Sequence, residues 1–240
     1  MGKDKWRRFE ENRGFACLHQ PDFKDIFKSD YCMKGRWCGE WFGNRRPLIL
    51  ELGCGRGEYT VELAKRFPEK NFIGVDIKGA RMWRGAKSVT QESILNAAFV
   101  RCRIEFSASV FATDEVSEIW ITFPDPQVKK ASKRLISSHY LKRYKNFLKS
   151  GGTIHLKTDS PLLYAYTLEL IRHNGLELIE ACDDIYGSGR ADDLLSIKTH
   201  YEKQFLAQGT AITYVAFKLK PSDQLEEPEH IGIQINPLRP

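Results

Sequence analysis

No run of apolar residues in this 240-residue chain is long enough to cross a bilayer, which takes about 20. The opening stretch MGKDKWRRFEEN has no apolar core, so no secretory signal is expected. Trp6 stands where a myristoylation motif after Gly2 requires Ser or Thr. The six cysteines are Cys17, Cys32, Cys38, Cys54, Cys102 and Cys182, and no two form a C-x-x-C pair. They read as reduced thiols of a cytoplasmic protein, and no metal is expected. Internal repeats and low-complexity runs are lacking as well. Neither charge sign dominates: 37 Lys and Arg face 31 Asp and Glu, for a net +6. So small an excess is only weakly consistent with a polyanionic partner.

What is present is a pattern. The chain is 42% hydrophobic and 28% charged, which suits one globular domain with a full core. From Pro47 onward, short apolar runs alternate with amphipathic ones. PLILEL, NFIGVDI, FVRCRI, SEIWITF, GGTIHLKT, LELIEA and TYVAFKLK read as seven strands. Helices are expected over EYTVELAKRF, over residues 79 to about 96, over SSHYLKRYKNFLK with Leu141, Tyr144 and Leu148 at helical spacing, and over PLLYAYTLELIRHNG closed by Gly175. Continuous Val/Ile/Leu strands separated by helices predict an α/β fold, a mostly parallel sheet covered on both faces. Residues 1–45 form a basic and aromatic arm without clear periodicity, 46–220 the α/β domain, and 221–240 a proline-rich tail that is either a strap or disordered.

The stretch LILELGCGRGEYTVELA sets Gly53, Gly55 and Gly57 between a strand and a helix. Glycines there let backbone amides approach a ligand. Asp76 ends the next strand a little beyond the ~20-residue spacing of a ribose-binding carboxylate. The same residue fits a surface cap equally in type. Glu51 precedes the glycines. A carboxylate there repels a pyrophosphate and attracts the sulfonium and ammonium of S-adenosylmethionine, so E-x-G-x-G-x-G favours that cofactor. Glu105 ends the third strand, in VRCRIEF, and is either a neighbour of the adenine or a solvated acid.

In FPDPQVKKASKRL, two prolines around Asp125 end an apolar run and are followed by Lys129, Lys130, Lys133 and Arg134. Proline cannot donate to a sheet ladder, so the strand stops there. The cations are either a solvated loop or a surface for phosphates. WRRF and FKDIFK in the arm interleave aromatics with cations, a pattern that suits either base stacking or packing on the core. His155 lies inside a strand and reads as structural, and Tyr164 with Tyr166 as helix packing.

Taken in order, ELGCGRGEYT, FIGVDIKGARMWRGAK, FPDPQVKKASKRL, GGTIHLKTDS and THYEKQF resemble the bacterial tRNA (guanine-N7-)-methyltransferases. The resemblance runs from about residue 34 to 219. It implies a Rossmann-like class I methyltransferase fold and methyl transfer from S-adenosylmethionine to N7 of the variable-loop guanine, position 46, of tRNA. The alternative is another RNA or a small molecule as acceptor. It implies that Glu51, Gly53, Gly55, Gly57, Asp76, Glu105 and Asp125 line the cofactor site. Lys129, Asp159, Thr199, Tyr201 and Glu202 would face tRNA, in a monomer or homodimer. Gln127 stands where family members usually carry Trp, and His200 where they often carry Glu. N7 of guanine has a lone pair and no proton, so its attack on a methyl group needs no general base. Asp125 and Asp159, at the carboxyl ends of predicted strands, are the candidate catalytic residues. Asp159 reads alternatively as the cap of the helix that follows.

Overall fold

A computed structural model describes residues 3–228. The expectations for Gly2 and for residues 229–240 of the tail lie outside the described residues. The elements run α1 (Lys3–Asn12), β1 (Leu18–His19), α2 (Phe23–Phe27), β2 (Leu48–Leu52), α3 (Glu58–Arg66), β3 (Asn71–Asp76), α4 (Gly79–Gln91) and β4 (Ala97–Arg101). There follow α5 (Ser107–Val110), β5 (Val116–Thr122), α6 (Ser138–Tyr144), β6 (Leu148–Thr158), α7 (Pro161–His173), β7 (Leu178–Cys182), α8 (His200–Ala207) and β8 (Thr213–Leu219).

The strands form one sheet in the order β1-β4-β3-β2-β5-β6-β8-β7. All neighbours are parallel except β8, which runs antiparallel to both β6 and β7. The expected α/β architecture is borne out, with one strand more than the seven read from sequence. The eighth is β1, which pairs Leu18 with Phe99 and His19 with Val100 at the sheet edge. Two residues are too few to display a period, so the pattern did not betray it.

Alternation along the strands divides the core. Leu48, Leu50 and Leu52 of β2 join Ile119 and Ile121 of β5 on one face. Ile49 and Trp120 point to the other, where α3 and α4 contribute Val61, Ala64, Met82 and Ala86. On that second face Phe99 is wedged among glycines. A Cβ added at Gly57 would collide with its ring, and one at Gly74 or Gly85 would meet it at 2.8 or 2.6 Å. Trp120 stacks on His155 at 4.1 Å, and the His155 ring meets the Tyr214 hydroxyl at 2.8 Å, a structural role as expected.

Local chemistry sets the ends of α7. Ser160 caps it by accepting from the Leu163 amide, and Pro161 occupies the first turn. At its other end Gly175 takes φ +59, and the Gly175 and Leu176 amides close back on the Arg172 and Ile171 carbonyls. The helix expected through Leu148 stops at Tyr144 instead. Leu148 begins β6, and its side chain fills the space where Gly152 has none. Apolar spacing alone does not separate a buried strand start from a helix turn.

Both flanks pack on the domain. The Asn12 amide donates to the Gly79 carbonyl at 2.9 Å and the Trp83 indole to Glu11 at 2.6 Å, tying α1 to α4. The first residues of the tail form the strap: Leu225 is buried, and Glu227 accepts from the Tyr166 hydroxyl and from Ser138 Oγ at 2.7 Å. Leu225→Ala should therefore lower the unfolding free energy by about 2–3 kcal/mol in urea titration. An unchanged midpoint would detach the strap from the fold.

Candidate active site

The strand order reverses beside β2: β3 and β4 lie on one side, β5 and β6 on the other. Open α/β sheets hold ligands in the crevice at the carboxyl ends of such strands. The chain places two special loops there, the glycine turn after β2 and the proline loop after β5.

Gly53, Gly55 and Gly57 all adopt left-handed φ, +80, +54 and +70. The Gly53 and Cys54 amides reach the Val75 carbonyl at 2.8 and 3.1 Å. A Cβ on Gly55 would meet only its own turn, at 3.9 Å, so its backbone faces open space. Asp76 closes the turn. One carboxylate oxygen accepts from the Gly55 amide at 2.9 Å and the other from the Lys78 amide at 2.7 Å. Glu51 is buried beneath. It accepts from the Thr60 amide and hydroxyl and from the Thr122 hydroxyl at 2.7 Å, so it joins β2, α3 and β5. Burial pushes its carboxyl up to about 7, against the pull of those hydrogen bonds.

Two lobes of one cleft meet at Gly53 and Asp76. The first is lined by Gly53, Gly55, Asp76, Phe123, Thr199 and Tyr201. The second adds Ile77, Cys102, Glu105 and Tyr140. Glu105 does not end a strand, as the sequence suggested. The strand stops at Arg101, and Glu105 sits in a tight turn, Ile104–Phe106, paired with Arg103 at 3.2 Å. Gly57, Glu51, Asp125, Lys129, Asp159 and Glu202 line neither lobe.

Asp125 stands exposed between two strained residues. Phe123 and Gln127 have φ +48 and +44, a conformation costly for side chains of their size. The Asp125 carboxylate accepts from the Gln127 amide at 2.9 Å, and Phe123 stacks on Phe205 of α8. Lys129, Lys130 and Lys133 are exposed. Arg134 is not, which corrects its expected place among the phosphate-facing cations. It is buried, lies over the Tyr166 ring at 4.4 Å, and donates to the Pro126 carbonyl at 3.1 Å. Charge alone could not distinguish it from its neighbours. Asp159 follows β6 on the same edge and is half-buried, which raises its carboxyl. It does not cap α7, because Ser160 does.

Thr199 and Tyr201 reach the cleft from the start of α8. The Thr199 hydroxyl accepts from the Glu202 amide at 3.2 Å, and the Glu202 carboxylate accepts from the Thr199 amide at 3.3 Å. Glu202 is sealed from solvent and lies 2.7 Å from the Lys157 ammonium, itself fully buried. Its place is therefore behind the site, not facing a substrate. Lys157 also donates to the Leu195 and Ile197 carbonyls at 2.7 and 2.9 Å, and burial lowers its pKa in spite of the carboxylate. Lys157 was missed in sequence, although a lysine inside an apolar strand run, HLKTD, is the signal. Arg56 and Arg81, which also line the first lobe, gave none.

The strand order, glycine turn and edge cleft define a methyltransferase of class I architecture. The family described as "Putative methyltransferase" matches residues 45–215. The solved 16S rRNA methyltransferase KamB shares the fold with a TM-score of 0.59 at 12% identity, over 76% of this chain and 92% of that one. The tRNA (guanine-N(7)-)-methyltransferase of Bacteroides thetaiotaomicron is 47% identical over 239 residues, 100% of this chain and 94% of that protein. Its namesake from Porphyromonas gingivalis is 52% identical over 225 residues, 93% and 88% of the two chains. The chain belongs to the tRNA (guanine-N(7)-)-methyltransferase family.

The Lys157–Glu202 pair sets a prediction. Glu202→Ala leaves an ammonium buried without its counter-ion and should destabilise by about 3–5 kcal/mol in urea unfolding. Lys157→Met combined with Glu202→Leu should recover most of that loss. Destabilisation below about 1 kcal/mol in the single variant would mean that water reaches the pair.

Proposed function

We propose that this protein transfers the methyl group of S-adenosylmethionine to N7 of the variable-loop guanine, position 46, of cytoplasmic tRNA, and that the two-lobed cleft holds the donor. The observation that carries this reading is the sharing of Gly53 and Asp76 between the lobes. Asp76 would hold the donor's ribose, the glycine turn its methionine, and Glu105 and Tyr140 its adenine. The Gly53 and Gly55 backbone would meet the methionine, and Gly57, packed against Phe99 and Gly85 of α4, starts α3. Glu51 acts from below, as a buried negative charge under a cationic ligand.

The transfer is an in-line displacement. The N7 lone pair forms the new N–C bond as the S–C bond breaks, and the sulfonium leaves as a neutral thioether. Positioning does most of the work. The half-buried Asp159 carboxylate accepts from guanine N1–H and the exocyclic amine and stabilises the charge that grows on the base. Asp125, held rigidly at the adjacent strand end, shapes the transfer site. Lys129, Lys130 and Lys133 meet the phosphates, and Thr199 and Tyr201 contact the nucleotide. His155 is committed to its stack, and no general base is required.

Transfer of tritiated methyl from S-adenosylmethionine to bulk tRNA from a strain lacking the modification tests this reading. Label in RNA, mapped to the variable-loop guanine, supports it; label only in another RNA or in small molecules overturns it. Asp159→Asn should keep donor affinity and slow single turnover by about 2–4 kcal/mol, on the order of a hundredfold or more. Full activity would remove Asp159 from the site.

Glu51 adds a pH dependence. Its folded-state carboxyl is raised from 4.5 to about 7, so its contribution to stability is present below 4.5 and lost as pH rises through about 7. A cationic donor favours the ionised form. Donor affinity should therefore rise as pH climbs from about 5 to 7, with proton release measurable by calorimetry in buffers of different ionisation enthalpy. Glu51→Gln should abolish the release; its persistence in that variant would assign the proton to another group.

A further inference from the structure

Beside the methionine end of the cleft, outside the proline loop, four guanidinium groups converge from three segments. Arg8 comes from α1, Arg56 from the glycine turn, and Arg81 and Arg84 from α4, and with Trp83 and Tyr201 they line one pocket. Arg56, Arg81 and Tyr201 line the proposed donor lobe too, so the two spaces share a wall. Among the described residues, Arg8, Arg56 and Arg81 have no carboxylate within salt-bridge distance. Arg84 alone has one, Glu58 at 3.8 Å, whose other oxygen is already taken by the His200 amide. Arg8 is held over the Trp83 ring at 5.1 Å and Arg81 near the Tyr201 ring at 5.9 Å. Arg8 Nε is buried without a hydrogen-bond partner.

Converging like charges repel, and a buried guanidinium donor without an acceptor is destabilising. Their α1 and α4 carriers are nevertheless fixed to each other by the Asn12 and Trp83 hydrogen bonds. The arrangement is complete only with an anion that brings several oxygens to one place. The single carboxylate of a methionine moiety can meet Arg56 at the shared wall, but it cannot reach four guanidinium groups. We propose that this pocket is a phosphate subsite for the tRNA backbone next to the target guanine, built by Arg8, Arg81 and Arg84, with Tyr201 between phosphate and base. It rests on the function proposed above and deepens it. The nucleic acid is gripped by the lysines of the proline loop and by this arginine pocket between α1 and α4. Arginine suits the task because its planar fork meets phosphate oxygens in pairs.

The test uses the full chain and an unmodified tRNA transcript. Arg8→Gln combined with Arg84→Gln should weaken tRNA binding about tenfold or more and make the slope of log K against log salt shallower by up to about one unit per lost contact. Donor affinity by calorimetry should stay at the wild-type value. If the double variant is unstable, Arg8→Gln alone gives the same readout with the Glu58 contact intact. Arg8→Lys should restore part of the salt slope. Wild-type methylation of tRNA together with unchanged affinity and slope in the variants overturns the subsite and leaves the function standing. A wild-type protein that neither binds nor methylates tRNA overturns the function, and the subsite with it.

Discussion

A lysine ammonium and a glutamate carboxylate, both shut away from water, hold the candidate site in place. Lys157 lies on β6, Glu202 on α8, and the Leu195 and Ile197 carbonyls and the Tyr186 hydroxyl complete their hydrogen bonding. Such a pair gains little over an apolar one, because desolvation offsets the attraction. What it gives is position. The carboxylate that meets Lys157 also closes the first turn of α8, and that turn carries Thr199 and Tyr201 to the cleft. One helix turn further, Phe205 stacks on Phe123 and steadies the strained start of the proline loop. Two loops far apart in sequence are thereby indexed to one strand.

The chemistry asks for such indexing more than for reactive groups. A nucleophile that carries its lone pair ready, and a leaving group that departs neutral, make geometry the main variable. The strained backbone around Asp125 fits this, since Phe123 and Gln127 keep left-handed conformations only where surrounding contacts hold them. Arg134 is one of those contacts, grasping the Pro126 carbonyl from behind.

Much of this was readable from residues. The parallel core strands announced themselves by continuous apolar runs, and the glycine turn with Asp76 by spacing. The remainder was hidden for physical reasons. β1 is too short for a period, and Leu148 lies where strand and helix patterns coincide. Glu202 and Arg134 are polar residues whose burial depends on partners far away in sequence, Lys157 and Tyr166. The arginine pocket draws on segments more than 70 positions apart, which no local motif can encode. The proline loop lies at the edge where the candidate cleft opens, but its run of cations blended three exposed lysines with one arginine that serves the core.

The aromatic ring of Phe99 carries a consequence for how this chain can vary. Gly57, Gly74 and Gly85 come from a turn, a strand and a helix, yet at each of them a side chain would collide with that ring. None can acquire even a methyl group while Phe99 stays, and a smaller residue at 99 would leave a void between the sheet and two helices. The four positions thus form a single heritable unit, in which change is open only to concerted substitution. Because one of the four is the last glycine of the turn after β2, drift in the hydrophobic core and drift in the candidate site are coupled through a benzene-sized wedge.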